Sequence, residues 1–188
     1  MMRVIGGRLR GRTLAAPGGS AIRPTADRLR ESLFNILTHA YDDPVSGAHV
    51  LDLFAGTGAL GIEALSRGAA FALFVDEAAE ARALLRENVT TLGLGGTARI
   101  FRRDATKLGP VRPLEPFTLA FLDPPYGKGL AEKALASARA GGWLIPDALI
   151  VVEEAAKAGF APPGGFREAE RRRYDDTEFI FLRAAKEA

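Results

Sequence analysis

His49-Val50-Leu51-Asp52-Leu53-Phe54-Ala55-Gly56-Thr57-Gly58-Ala59-Leu60-Gly61 is the stretch whose reading decides the fold. Its first half is an apolar run of strand length, broken by a single acid. Gly56, Gly58 and Gly61 then fit a G-x-G-x-x-G loop, and Ala59 to Arg67 reads as a helix ended by Gly68. A strand running through a glycine loop into a helix is the opening unit of a doubly wound α/β sheet.

Outward from that unit the alternation continues. Phe71-Ala72-Leu73-Phe74-Val75 reads as a second strand ending at Asp76, and Ala78 to Thr91 as a helix. Ala98-Arg99-Ile100-Phe101 is a third strand, with Asp104 just beyond it. Phe117 to Leu122 is a fourth, Leu130 to Ala140 a helix, and Ala148 to Val152 a fifth strand. Strands alternating with helices imply parallel pairing and right-handed crossovers. Phe166 to Tyr174 and Glu178 to Leu182 have no helix between them, so an antiparallel hairpin at a sheet edge is expected there, turning at Asp175-Asp176. Upstream, residues 2–14 alternate around Gly6-Gly7, which reads as a hairpin turn. A helix follows from Pro24-Thr25, with Thr25 as N-cap and Leu29, Leu33, Ile36, Leu37 and Ala40 at helical spacing.

The composition is that of a soluble globular chain: 188 residues, 47% hydrophobic and 26% charged. No apolar run is long enough to span a bilayer, and the first residues lack a signal-peptide core. Cysteine is absent and histidine occurs twice, at His39 and His49, which argues against disulfides, thiol nucleophiles and zinc sites. No metal is expected, and a cytoplasmic location fits. Net charge is only +2, but Arg3, Arg8, Arg10, Arg12 and Arg23 all precede the first acid, Asp27. A second basic cluster is Arg171-Arg172-Arg173, with Arg167 nearby. Arginine forks match phosphate oxygens, so a phosphate-bearing partner is expected; a solvated basic surface is the plainer alternative.

The glycine loop alone also marks NAD and FAD sites. Asp52 argues against them, because a carboxylate there would repel a pyrophosphate on the same loop. It would attract the ammonium of an amino-acid ligand, and S-adenosylmethionine carries one without any phosphate. Asp76 is placed for a ribose hydroxyl pair, and Asp104 for an adenine amino group. Each acid alone could be a solvated strand end; three at successive strand ends beside the loop point to the cofactor.

Asp123-Pro124-Pro125-Tyr126 emerges where the fourth strand ends. Two prolines remove two donors and leave two carbonyl acceptors, which suits a substrate presenting N–H groups. The tyrosine ring suits a flat base. Hydrogen bonds from an aryl amine to Asp123 and the Pro124 carbonyl would draw its nitrogen towards tetrahedral geometry. Its lone pair would then face the sulfonium methyl, with alignment supplying much of the rate. A paired or stacked base must be turned out to reach such a pocket. A proline-stiffened turn with a surface tyrosine is the plainer reading.

These two motifs together resemble class I methyltransferases acting on exocyclic amines. The segment Ile22-Arg23-Pro24-Thr25-Ala26-Asp27-Arg28-Leu29-Arg30-Glu31-Ser32-Leu33-Phe34-Asn35, with Arg3-Val4-Ile5-Gly6-Gly7 and Gly11-Arg12, resembles the RsmD family of bacterial 16S rRNA guanine-N2 methyltransferases. The resemblance covers nearly the whole chain. It implies a Rossmann-like, mostly parallel seven-stranded sheet with helices on both faces, an antiparallel C-terminal edge hairpin and an N-terminal β-hairpin extension. It divides the chain into an RNA-contacting extension, 1–20, and a methyltransferase domain, 21–188. Asp123, Pro124, Pro125 and Tyr126 would form the catalytic loop. The cofactor would meet Arg23, Pro24, Thr25, Asn35, Asp52, Phe54, Ala55, Gly56, Thr57, Gly58, Gly61, Asp76, Glu77, Asp104 and Ala105. Arg3, Arg8, Arg10, Arg12, Arg28 and Arg30 would meet RNA. The implied substrate is 16S rRNA within an assembling small subunit, and the implied enzyme a monomer. Asp76-Glu77-Ala78 lacks the aromatic residue expected after the ribose-binding acid, which leaves the source of adenine stacking open.

Three rivals remain. DNA adenine-N6 or cytosine-N4 methyltransferases share the four-residue loop, though they usually carry a target-recognition insert for which this chain has no room. A non-catalytic RNA-binding module would not need Asp123. A dehydrogenase would share only the glycine loop.

Overall fold

The computed structural model describes residues 1–18 and 24–186, without the side chains of residues 24 and 25. Arg23 lies outside the described residues, as do the side chains of Pro24 and Thr25. Seven strands form one sheet: β1 (His49–Leu53), β2 (Phe71–Val75), β3 (Ala98–Phe101), β4 (Phe117–Leu122), β5 (Leu144–Ala155), β6 (Phe166–Tyr174) and β7 (Thr177–Ala184). Their order is β3-β2-β1-β4-β5-β7-β6. The first five pair in parallel, and β7 runs antiparallel to both β5 and β6. The expected edge hairpin is present, with its second strand inserted against β5.

Strict alternation explains why both faces are covered. Val50, Phe74, Phe121 and Val151 point to one side, against helices α1 (Pro24–Ala40), α2 (Ala59–Ser66) and α3 (Ala79–Thr91). Leu51, Leu73, Leu122 and Val152 point to the other, against α4 (Leu130–Ala140) and the segment leading into β4. The chain leaves β3 at one edge and re-enters beside β1 as β4. The crossover direction therefore reverses between β1 and β4, and a ligand crevice is expected above that point.

Three local expectations differ. First, β5 begins at Leu144 rather than near Ala148, because Leu144 pairs with Phe117 before the register shifts to Leu149 opposite Leu119. Second, α1 starts at Pro24, so Thr25 falls within its first turn and is not the N-cap. Third, residues 2–14 do fold back, with Arg3 opposite Thr13, but Gly6-Gly7 is not a two-residue turn. Val4 pairs with Gly11 and Arg12, so the connection spans residues 5–10. The glycines serve another purpose: Gly7 has φ +77, and a Cβ there would collide with the Ser66 carbonyl. Val4, Leu9 and Leu14 join the core under α1 and α2, which makes this arm continuous with the sheet's packing.

Candidate active site

The carboxyl ends of β1 and β4 open into a two-lobed cleft whose lobes share Phe54 and Asp123. One lobe runs from Asp76, Glu77 and Ala78 to Asp104, Ala105 and Pro124. The other runs from Asp52 and the glycine loop, under Ala26, Leu29 and Leu33 of α1, to Tyr126 and the β6–β7 turn. Thirteen of the predicted catalytic and cofactor residues thus converge here, counting Phe54, Ala55, Gly56, Thr57, Asp52, Asp76, Glu77, Asp104, Ala105, Asp123, Pro124, Pro125 and Tyr126.

The loop is shaped by its backbone. Phe54 holds φ 57, a left-handed value that a non-glycine residue adopts only when its surroundings enforce it. Gly56 also has a positive φ, and a Cβ there would meet nothing, because it faces open space. Its N–H donates to Asp76 Oδ2 at 2.9 Å, while Ala78 N–H donates to Asp76 Oδ1 at 2.9 Å. Asp76 therefore ties the loop to the end of β2. Gly58 and Gly61 have a different role from that expected. A side chain at Gly58 would strike Leu85 of α3 and one at Gly61 would strike Phe74 of β2, so the two glycines let the start of α2 pack closely on α3 and on the sheet. Neither lines the cleft.

Two acids here have no cation beside them among the described residues, Asp52 buried and Asp123 exposed at the cleft mouth. Asp52 is 1% exposed and accepts one hydrogen bond, from Gly61 N–H at 3.0 Å. No ion pair reaches it among the described residues. Burial pushes its pKa up to about 8, opposed by the Gly61 bond and reinforced by the charge of Asp76. Asp123 is hemmed in by protein yet opens onto solvent through the cleft mouth. Its pKa is raised well above the usual range, by desolvation first and then by Glu153, Asp52 and Glu154. A buried carboxylate that prefers to stay protonated gains most from a cationic ligand. Asp104 differs: bonds from Thr106 Oγ1 (2.7 Å) and N–H (2.8 Å) lower its pKa and keep it an ionised acceptor. The residues fit S-adenosylmethionine on these grounds. Asp52 and Asp123 are short of positive charge, Gly56 leaves its backbone bare, and Asp76 and Asp104 offer acceptors along the other lobe.

Tyr126 stands at the rim, 44% exposed, with its hydroxyl donating to Glu153 at 3.1 Å and lying 3.4 Å from Thr177. Burial and Glu153 raise its pKa above the ordinary tyrosine range.

Beyond Gly58 and Gly61, two more predicted residues take other roles. Asn35 is exposed on α1, two residues past Leu33 and so on the far side of the helix from the cleft. Arg30 does not meet solvent. It is 5% exposed, donates to Glu63 at 3.4 Å and to Asp27 at 3.1 Å, and bonds the Arg3 carbonyl. It fastens the arm to α1 and α2 instead of meeting phosphate. The basic cluster of β6 is also largely neutralised: Arg171 pairs with Glu168 and Glu178, and Arg172 with Glu170. By contrast, Arg3, Arg8, Arg10, Arg12 and Arg28 are exposed and make no ion pair among the described residues.

Several cleft residues were not expected: Leu29, Glu153 and the turn Tyr174-Asp175-Asp176-Thr177. Glu153 carried a signal, since it follows the apolar run of β5 as Asp123 follows that of β4. The turn carried none, because its approach depends on β7 lying beside β5.

Comparison with known proteins agrees with this geometry. Residues 2–183 match the family model described as Conserved hypothetical protein 95. The chain is 40% identical over 158 residues to Ribosomal RNA small subunit methyltransferase D of Escherichia coli strain K12, covering 84% of this chain and 77% of that one. It is 36% identical over 154 residues to the protein of the same name from Haemophilus influenzae, covering 81% and 78%. The solved structure of yhhF from Escherichia coli superposes with a TM-score of 0.82 at 32% identity, covering 99% of each chain. The fold is that of a class I methyltransferase, and the chain belongs to the RsmD family of S-adenosylmethionine-dependent methyltransferases.

Proposed function

We propose that this protein methylates the exocyclic N2 amine of a guanine in 16S rRNA. The observation that carries the reading is the position of Asp123, which belongs to both lobes of the cleft at once. One lobe offers acceptors suited to a nucleoside; the other offers a tyrosine ring and an apolar wall suited to a base. Only a group at their junction can face both donor and acceptor. The RNA assignment is supported by the relatives named as ribosomal RNA methyltransferases.

Bound in the cleft, S-adenosylmethionine supplies a methyl group activated by its positive sulfur. Asp52 holds the amino-acid end, and the Asp76 and Asp104 carboxylates accept from the nucleoside end. Asp123 and the Pro124 carbonyl accept hydrogen bonds from the guanine amine and hold its lone pair towards the methyl. Tyr126 stacks on the base, which is worth roughly 1–3 kcal/mol. Leu29 and Leu33 close the wall and help exclude water.

Met2 lines the same lobe, so the arm runs along the cleft rim. Its exposed arginines at 3, 8, 10 and 12, with Arg28, meet phosphates flanking the extruded base. The target is rRNA already held in an assembling small subunit, and the protein acts as a monomer in the cytoplasm. Among the described residues no helix is long and apolar enough to cross a membrane.

Asp123→Ala tests the site. Turnover on small-subunit rRNA should fall below detection while S-adenosylhomocysteine still binds in calorimetry. Undiminished turnover would remove Asp123 from the mechanism.

A further inference from the structure

We propose that Glu153 is a positioning residue for the methyl-accepting amine, bracing Tyr126 at the rim and placing a second carboxyl beside Asp123. This rests on the reading of Asp123 as the group that meets the amine, and adds a residue to it.

Sheet register sets up the pair. Leu122 lies opposite Val152 in the parallel β4–β5 ladder, so Asp123 and Glu153 follow side by side. Phe121 and Val151, two residues earlier, point into the same core, so both carboxyls emerge on that face. Glu153 is, after burial, the largest cause of the raised Asp123 pKa. Glu153 also accepts from the Tyr126 hydroxyl at 3.1 Å. The next residue, Glu154, is buried and accepts from Gly127 N–H at 3.0 Å. Consecutive glutamates of β5 therefore hold the catalytic loop twice, one by its tyrosine and one by its backbone. Glu154 braces the turn by its backbone, and Glu153 by its tyrosine.

As the C–N bond forms, the C–S bond breaks and its electron pair stays with sulfur. The nitrogen then sheds one proton to the ionised Asp123, which passes it to water. Other charged groups face Asp123 from each neighbouring element. Asp52 stands on β1, Glu154 on β5, and Asp175 and Asp176 on the β6–β7 turn. The nearby cations are Arg30 of α1, already paired, and Arg103 in the other lobe.

The test is the pH dependence of kcat on small-subunit rRNA. Turnover needs Asp123 ionised, so it falls on the acid side. Glu153→Gln keeps an acceptor for Tyr126 but removes a like charge beside Asp123. The acid limb should move to lower pH by about one unit. An unmoved limb overturns the proposal. Tyr126→Phe should raise KM for RNA several-fold and leave the limb in place; a limb that moves as far as in Glu153→Gln would assign the effect to the hydroxyl and also overturn it. If Glu153→Gln does not fold, Glu153→Asp carries the test: it keeps the charge, so the limb should stay while KM rises, and a shifted limb counts against the proposal. Asp123→Asn separates the two levels. Full turnover in that variant sinks the reading of Asp123 itself, whereas lost turnover with an unmoved Glu153→Gln limb sinks only the pair.

Discussion

Glu63 and Asp52 are both fully buried acids on the β1–α2 unit, and their surroundings could hardly differ more. Glu63 is 0% exposed and faces Arg30 and Arg67, the latter at 2.8 Å. It also accepts from the Ile5 and Gly6 N–H groups at 2.8 Å each. Asp52 has one backbone donor and, among the described residues, no cation. The first acid is completed by the protein itself and fastens the N-terminal arm. The second is left incomplete at the floor of a cleft. Burial alone therefore does not mark a functional acid; what marks it is a charge the fold declines to neutralise.

Removing each acid should separate these roles. Glu63→Ala takes from the buried Arg30 one of its two carboxylate partners, leaves Arg67 unpaired and frees two backbone donors. It should cost about 3–5 kcal/mol in denaturant unfolding. A cost below about 1 kcal/mol would mean that the arm is held by Val4, Leu9 and Leu14 alone.

Asp52 should show itself through pH. Its folded pKa is about 8 against an ordinary 3.8, so between those values the folded chain keeps a proton that the unfolded chain has lost. Stability contributed by this group therefore falls as pH rises across that window, by at most about 1.4 kcal/mol per pH unit. Asp52→Asn should flatten the slope. It should also weaken S-adenosylhomocysteine binding at least tenfold, and the wild-type protein should release a proton on binding at pH 7. An unchanged slope in Asp52→Asn would place the proton elsewhere.

A smaller contrast concerns arginines. Reversing Arg10 and Arg12 to Glu should weaken RNA binding and reduce its log–log salt slope by about 0.7–0.9 for each phosphate no longer neutralised. Arg172, paired with Glu170, should leave that slope unmoved when changed to Gln. The smallest effect expected is on stability: Glu170→Gln breaks a half-exposed pair worth about 0–1 kcal/mol.

What could be read in the sequence was local. The strand, glycine loop and helix from His49 to Ser66 declare themselves because each depends on neighbours within a few residues. The Asp123 loop does so for the same reason. Features that arise between distant segments were harder. Gly6-Gly7 looks like a turn in isolation; only the approach of Ser66 shows why side chains are excluded there. Arg171 to Arg173 look like a phosphate site until β7 brings Glu178 opposite. Arg30 was within reach, since it shares the spacing of Leu33 and Leu37 on the buried stripe of α1, and Asn35 falls off that stripe. Glu153 was within reach as well, by the strand-end rule that picked out Asp52 and Asp123. The β6–β7 turn was not, because nothing local tells β7 to enter between β5 and β6.

The most direct measurement is mass spectrometry of nucleosides after incubating the protein with S-adenosylmethionine and undermethylated small subunits, their extracted 16S rRNA, or duplex DNA. The account predicts N2-methylguanine in the rRNA, more of it from assembled particles than from free RNA, and none after Asp123→Ala. Methyladenine or methylcytosine in the DNA, with rRNA unmodified, would contradict it.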